Sequence, residues 1–191
     1  MGQATAIAGH GAEIELFSDT LSCDVVLPAR FDPGPAMAAQ HAAESLLHGL
    51  AIAEDVRSDD NEERGELPQS MQRVEAKLDL ILGVLGKLTR ARADALPVRH
   101  ARWSHRGLRL DLPATSGFST GDSGVLLLQP ADWLSDHIEL PARVLAEMPG
   151  QDGHHHLWLR FGTLLPGLHD ALERHLFRLH RRQIAEARRL R

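Results

Sequence analysis

Ala101-Arg102-Trp103-Ser104-His105-Arg106-Gly107-Leu108-Arg109-Leu110-Asp111-Leu112 is the stretch on which the fold turns. Leu108, Leu110 and Leu112 alternate with Arg109 and Asp111, the two-residue period of a strand with one dry face and one wet one. Downstream, Gly121-Asp122-Ser123-Gly124 reads as a turn before the apolar run Val125–Leu128. His137–Met148 reads as a strand bent at Pro141. Pro149-Gly150-Gln151-Asp152-Gly153 is a hairpin turn, and His154–Phe161 returns from it. Upstream, Glu13–Leu27 alternates loosely through Ile14, Leu16, Leu21, Cys23, Val25 and Leu27. It is expected to form a strand or hairpin, ended by Pro28 and by Asp32-Pro33-Gly34-Pro35. Gly167–Arg191 predicts an amphipathic helix with Leu168, Leu172, Leu176 and Leu179 on one side. The outline is α+β: a small antiparallel β domain closed by a C-terminal helix, with two helices inserted after its first strand.

The insertion opens at Pro35, a residue well suited to the first turn of a helix. Ala36–Val56 follows, its apolar face supplied by Leu46, Leu50 and Ala53 with Leu47 beside them. Arg57–Glu66, dominated by Asp59, Asp60, Glu62, Glu63 and Glu66, reads as a solvated linker. Beyond it the apolar residues fall in steps of four and three: Leu67, Met71, Val74, Leu78, Ile81, Leu85, Leu88. That is a heptad seam, with Met71, Leu78 and Leu85 at a and Leu67, Val74, Ile81 and Leu88 at d. A strict 3.5-residue seam favours a partner helix of the same kind, wound left-handedly around it. Leu at a with Ile or Val at d shifts parallel coiled coils towards tetramers, and Leu82 and Val84 widen the seam further. Gly83 and Gly86 work against the helix at about 1 kcal/mol each. Homotetrameric assembly through this helix is expected; packing within the same subunit, and an antiparallel bundle, are the alternatives.

The chain has 191 residues, 43% hydrophobic and 25% charged, the make-up of a soluble globular protein. Its net charge of -5 argues against wholesale nucleic-acid binding. Cys23 stands alone, so no intrachain disulfide forms and a reducing cytosol is the expected compartment. No apolar run reaches the roughly 18 residues of a membrane span, and Met1–Ala8 lacks a charged signal-peptide start.

The layout, with Arg102–Leu108, Gly121-Asp122, Leu140-Pro141-Ala142-Arg143-Val144 and Leu157-Trp158-Leu159-Arg160-Phe161, resembles the PilZ domain of bacterial signalling proteins. The likeness is to atypical members whose helical insertion forms a four-stranded parallel coiled coil. It implies a six-stranded antiparallel barrel with a C-terminal helix. Residues 1–33 would give its first strand or strands, 34–97 the insertion and 98–191 the remainder. It also implies protein partners in cyclic di-GMP signalling, type IV pilus function or motility. A ligand-binding PilZ domain carries R-x-x-x-R before an early strand and D/N-x-S-x-x-G on the next; paired arginines stack on guanine and pair with phosphate. Here Ser104 and Gly107 match the second signature, but Arg102 replaces its leading acid or amide, and Met1–Leu27 contains no arginine. Arg102 and Arg106 spell R-x-x-x-R inside the other signature; on one extended strand they would stand roughly 13 Å apart. Tight cyclic di-GMP binding is therefore not expected. The alternative is a degenerate site built from Arg102, Ser104, Arg106 and Gly107, with Arg99 nearby.

No other constellation carries chemistry. His154-His155-His156 puts only two rings on one strand face, so no metal and no cofactor are expected. His41 and His48 read as a solvent-facing pair, and His169, His175 and His180 show no histidine pairing at i, i+4. Ser104 and His105, adjacent on a strand, would point to opposite faces, which removes a Ser-His-Asp111 triad, and the chain is not expected to be an enzyme. Cys23 reads as a buried, inert thiol. Trp158 reads as core, Trp133 as core or partner site. Between Leu172 and Arg191 seven arginines face two glutamates, and Arg174, Arg178, Arg181 and Arg182 form the candidate partner surface. The alternative there is a solvated face complementing the helix C-terminus.

Overall fold

The computed structural model describes residues 2–59, 96–134, 136–150 and 153–189. Six strands close into an antiparallel barrel in the order β1-β2-β3-β6-β5-β4. They are β1 (Ser22–Pro33), β2 (Val98–Ser104), β3 (Gly107–Leu112), β4 (Ser123–Leu128), β5 (Ile138–Pro149) and β6 (His155–Phe161). Among the described residues three helices accompany them: α1 (Gly2–Phe17), α2 (Gln40–Asp59) and α3 (Pro166–Arg189). The heptad residues Leu67, Met71, Val74, Leu78, Ile81, Leu85 and Leu88 lie outside the described residues.

The alternation read from the sequence decides what faces inward. Leu108 and Leu110 of β3, Leu126 and Leu128 of β4, and Leu157 and Leu159 of β6 are all buried inside the barrel. Trp103 of β2 and Ile138 and Leu140 of β5 complete the filling. Side chains suffice to pack so small a barrel. One end is stoppered by Leu168, Leu172 and Leu176 of α3, backed by Ala43 and Leu47 of α2. Each such leucine contributes about 1.5–3 kcal/mol through burial. His41 and His48 face solvent on the other side of α2.

β1 departs from expectation at both ends. Its first half pairs with β2, from Ser22 opposite Ser104 to Pro28 opposite Val98. Its second half pairs with β4, from Ala29 opposite Leu128 to Pro33 opposite Gly124. Pro28 therefore does not end the strand; it sits at the handover between partners, where its missing N–H costs little. Ala29 N donates to the Pro97 carbonyl at 3.0 Å, and Gln129 N to that of Pro28 at 3.0 Å. The irregularity expected at Pro141 is also displaced: Pro141 pairs with Val125, and the register shift lies between Val144 and Ala146.

The larger correction is at Glu13–Phe17, which is the end of helix α1 and not a strand. Ala12, Leu16 and Phe17 pack with Ala146 and Trp158, flanked by Leu145 and Met148, as a second cluster outside the barrel. The helix stops where Ser18 N and Oγ both donate to the Ile14 carbonyl, at 3.0 and 2.7 Å. Asp19 then takes a left-handed φ of 54°, a conformation that a short polar side chain tolerates and that commonly closes a helix.

Candidate functional site

The sequence-marked residues Arg102, Ser104, Arg106 and Gly107 all lie beneath or beside the last turns of α1. Outward-pointing positions of β2, β3 and β6 place Arg102, Arg109, Trp158 and Arg160 on one barrel face. Glu13 is the hub. Its Oε1 accepts from Arg102 Nη1 at 2.8 Å and from Arg109 Nη1 at 3.4 Å, and its Oε2 accepts from Trp158 Nε1 at 2.7 Å. Arg102 also donates to Ser22 Oγ at 3.2 and 3.3 Å, and its guanidinium lies 4.7 Å from the Phe17 ring centroid. Arg109 Nε approaches Asp111 at 3.4 Å, and Arg160 Nη1 donates to Glu15 Oε1 at 2.9 Å.

Ser104 and Arg106 are occupied by backbone. Ser104 is fully buried; its Oγ donates to the Leu16 carbonyl at 2.7 Å and accepts from Arg106 N at 3.1 Å. His105 and Arg106 form the turn between β2 and β3, so Arg102 and Arg106 do not share an extended strand as the sequence reading assumed. Arg106 Nη1 reaches the Ser18 carbonyl at 3.1 Å and that of Glu15 at 3.4 Å, at the carbonyl end of the α1 dipole. Gly107 is required by crowding: a Cβ there would meet the Leu159 carbonyl. Arg99 is not part of this group. It stands opposite Leu27, lining a cleft with Arg30, Phe31 and Phe118.

The α3 arginines divide. Arg178 Nε and Arg182 Nη1 grip the two oxygens of the buried Glu54 of α2, at 3.2 and 2.8 Å, and so tie α3 to α2. Arg174 and Arg181 are exposed.

A family model described as atypical PilZ domain, cyclic di-GMP receptor, matches residues 47–189. The chain belongs to the atypical PilZ domain family. A pathogenic protein from Xanthomonas campestris is 49% identical, over 94% of this chain and 98% of that one, with a TM-score of 0.77. Its crystal structure is described as a new tetrameric PilZ domain self-assembled via an unusual helical bundle. The Bacillus subtilis inhibitor of motility MotI/DgrA aligns at 22% identity over 47% of this chain and 43% of its own, with a TM-score of 0.38. The PilZ domain of YcgR from Escherichia coli, solved with c-di-GMP, aligns at 16% identity over 48% of this chain and 79% of its own, with a TM-score of 0.37. No curated protein matches the chain.

In this PilZ domain the remaining histidines and Cys23 have defined surroundings. His156 Nδ1 lies 2.6 Å from Asp111 Oδ1 and His155 Nδ1 lies 3.6 Å from Glu147, so two rings of the triple-histidine run face carboxylates. His175 is fully buried against the Trp103 ring, 5.5 Å between centroids. Burial first, then Arg178 and Arg182, push its pKa down to about 3, with the Pro130 carbonyl opposing. It is a neutral stopper residue. Burial, aided by Asp24, raises the Cys23 thiol to about 11, and its Sγ sits 3.5 Å from the Leu176 carbonyl. That thiol is inert. Trp158 is buried, though beneath α1 and not inside the barrel, while Trp133 is partly exposed.

One grouping escaped the sequence reading. His105 of the β2–β3 turn meets His169 and Glu173 of α3, their ligand-type atoms within 4.8 Å of one another. The local signal was present as His169-x-x-x-Glu173, one face of a helix at i, i+4. The third member is 64 residues away and is placed only by the fold. Clefts of about 490 and 620 Å³ open on either side of His105. Among the described residues no helix is long and apolar enough to cross a membrane.

Proposed function

We propose that this PilZ domain is a non-catalytic, oligomeric scaffold in bacterial cyclic di-GMP signalling, pilus function or motility, and that its barrel does not itself hold the nucleotide. One observation carries the reading. The groups that would grip a guanine or a phosphate are already engaged: Arg102 by Glu13, Ser104 by the Leu16 carbonyl, and Arg106 by the carbonyls of Glu15 and Ser18. A ligand would have to displace a helix end and leave the Leu16 carbonyl without its buried Ser104 donor, at about 1–3 kcal/mol, besides breaking the Arg102–Glu13 pair. Assembly rests on the heptads over Leu67–Leu88 and on likeness to the tetrameric Xanthomonas campestris protein.

Calorimetric titration with cyclic di-GMP is expected to give no low-micromolar binding. A low-micromolar constant that Arg102→Ala abolishes would establish the second reading, a receptor using the degenerate site around Arg102, Ser104 and Arg106. The family's description as cyclic di-GMP receptor favours testing it. Light scattering is expected to give a tetramer. Polar replacement of both Leu78 and Ile81 is expected to yield monomers with β-rich circular dichroism intact; survival of the assembly would overturn the coiled-coil basis. Arg174 and Arg181 remain the candidates for a protein-partner surface, and a nucleic-acid partner is not proposed.

A further inference from the structure

We propose that His105, His169 and Glu173 form a binding site for a divalent transition-metal ion of the zinc class, joining α3 to the β2–β3 turn. Three acceptors converge there from two separate elements. His105 Nδ1 stands 3.7 Å from Glu173 Oε1, and His169 Nε2 stands 4.0 Å from the same oxygen. Around a tetrahedral zinc with bonds of about 2.0–2.1 Å, neighbouring ligand atoms lie roughly 3.3 Å apart. With all three ligand atoms within 4.8 Å of one another, side-chain rotations of up to about 1.5 Å close the triangle.

The donor set selects the ion. Two imidazoles and one carboxylate suit zinc and its first-row neighbours, and disfavour calcium and magnesium, which take oxygen cages. His169 and Glu173 occupy one helix face at i, i+4, so two of the three ligands come prepositioned. The other ring nitrogen of His169, Nδ1, stands 3.9 Å from Asp170 Oδ1, beyond hydrogen-bond distance but close enough for a small rotation to bring that carboxylate to orient the imidazole. Thr20 Oγ1 lies 2.9 Å from His105 Nδ1 and shares that nitrogen, so the ion is taken up by displacing this hydrogen bond. Arg106, beside His105, is turned to the carbonyls of Glu15 and Ser18. The three ligands are half-buried or exposed beside open clefts, which leaves the fourth position to water.

The test uses the full chain, stripped with EDTA and titrated with zinc chloride by calorimetry, with cobalt(II) absorption as a second readout. Expected are one zinc per chain, visible cobalt bands of a low-coordinate site, and a zinc-dependent rise in the thermal midpoint. His169→Gln and Glu173→Gln change a half-buried and an exposed side chain outside the core. Each is expected to weaken zinc by roughly 100-fold and to abolish the midpoint rise, with Asp170→Asn weakening it about 10-fold. His154→Gln with His156→Gln is the control for the triple-histidine run and is expected to leave zinc affinity unchanged. Absence of zinc binding at 100-fold molar excess would overturn the site. So would binding unchanged by His169→Gln and Glu173→Gln, or binding lost only in the control.

Discussion

Glu13→Ala removes the carboxylate that three barrel donors share. In the structure Oε2 takes the Trp158 indole N–H at 2.7 Å, and Trp158 is only 5% exposed. With the acceptor gone that donor is left buried and unpaired, at about 1–3 kcal/mol. Arg102 loses its 2.8 Å bond and Arg109 its 3.4 Å one. Both guanidiniums are partly exposed, so solvent screening leaves these pairs about 1 kcal/mol together. The sum is about 2–4 kcal/mol against the docking of α1, which otherwise rests on Ala12, Leu16 and Phe17 and on the bonds that Ser104, Arg106 and Arg160 make to its last turns. Hydrogen exchange read by mass spectrometry across residues 9–17 is the assay. Opening should accelerate there by roughly 30- to 700-fold, that energy converted at 1.4 kcal/mol per tenfold, while the barrel strands keep their protection. Glu13→Gln retains an acceptor for Trp158 and should fall between variant and parent. Exchange unchanged within a factor of three in Glu13→Ala would refute the idea that this carboxylate holds the helix down.

Gly107→Ala sets a methyl group against the Leu159 carbonyl and 2.8 Å from Leu16 Cδ2; a loss of about 1–3 kcal/mol is expected, and an unshifted urea midpoint would count against that crowding. Cys23, its thiol raised to about 11 by burial and Asp24, should resist iodoacetamide at pH 8 and react only at the rate of unfolding; prompt labelling of native protein would contradict it. For Glu147, burial raises the pKa, but hydrogen bonds from Ser116 and the nearby His155 outweigh it, and the net shift is downward from 4.5. The folded protein therefore binds fewer protons than the unfolded chain below that pH. The stabilisation is present above about pH 4.5 and is lost as the pH falls through the depressed folded value. Urea midpoints from pH 7 to pH 3 should fall more steeply in the parent than in Glu147→Gln; parallel curves would remove Glu147 from the acid limb.

The barrel was legible because its period is local. Leu108/Leu110/Leu112, Val125–Leu128 and Leu157–Phe161 announce strands within six or seven residues, and Leu168/Leu172/Leu176 a helix within nine. Helix α1 was not, because five residues from Glu13 to Phe17 cannot distinguish a period of 2 from one of 3.6. The useful sign was the pair Ala12 and Leu16 at helical spacing, with Ile14 between them 51% exposed in the fold. Pro28 misled for a different reason: a proline ends a strand only where the ladder needs its N–H, and here the ladder changes partners. The candidate site shows the same limit. Arg102 was singled out, yet its partner Glu13 lies 89 residues away, and no spacing rule connects them. The split of the α3 arginines was equally invisible, since Glu54 sits in a helix read only for its apolar face.

β1 is made before either of its neighbours. Its partners, Val98–Ser104 and Gly124–Leu128, follow the whole stretch from Gly34 to Pro97 in chain order. During synthesis on the ribosome, the first strand therefore waits, unpaired, until both later partners have emerged and the barrel can close around it.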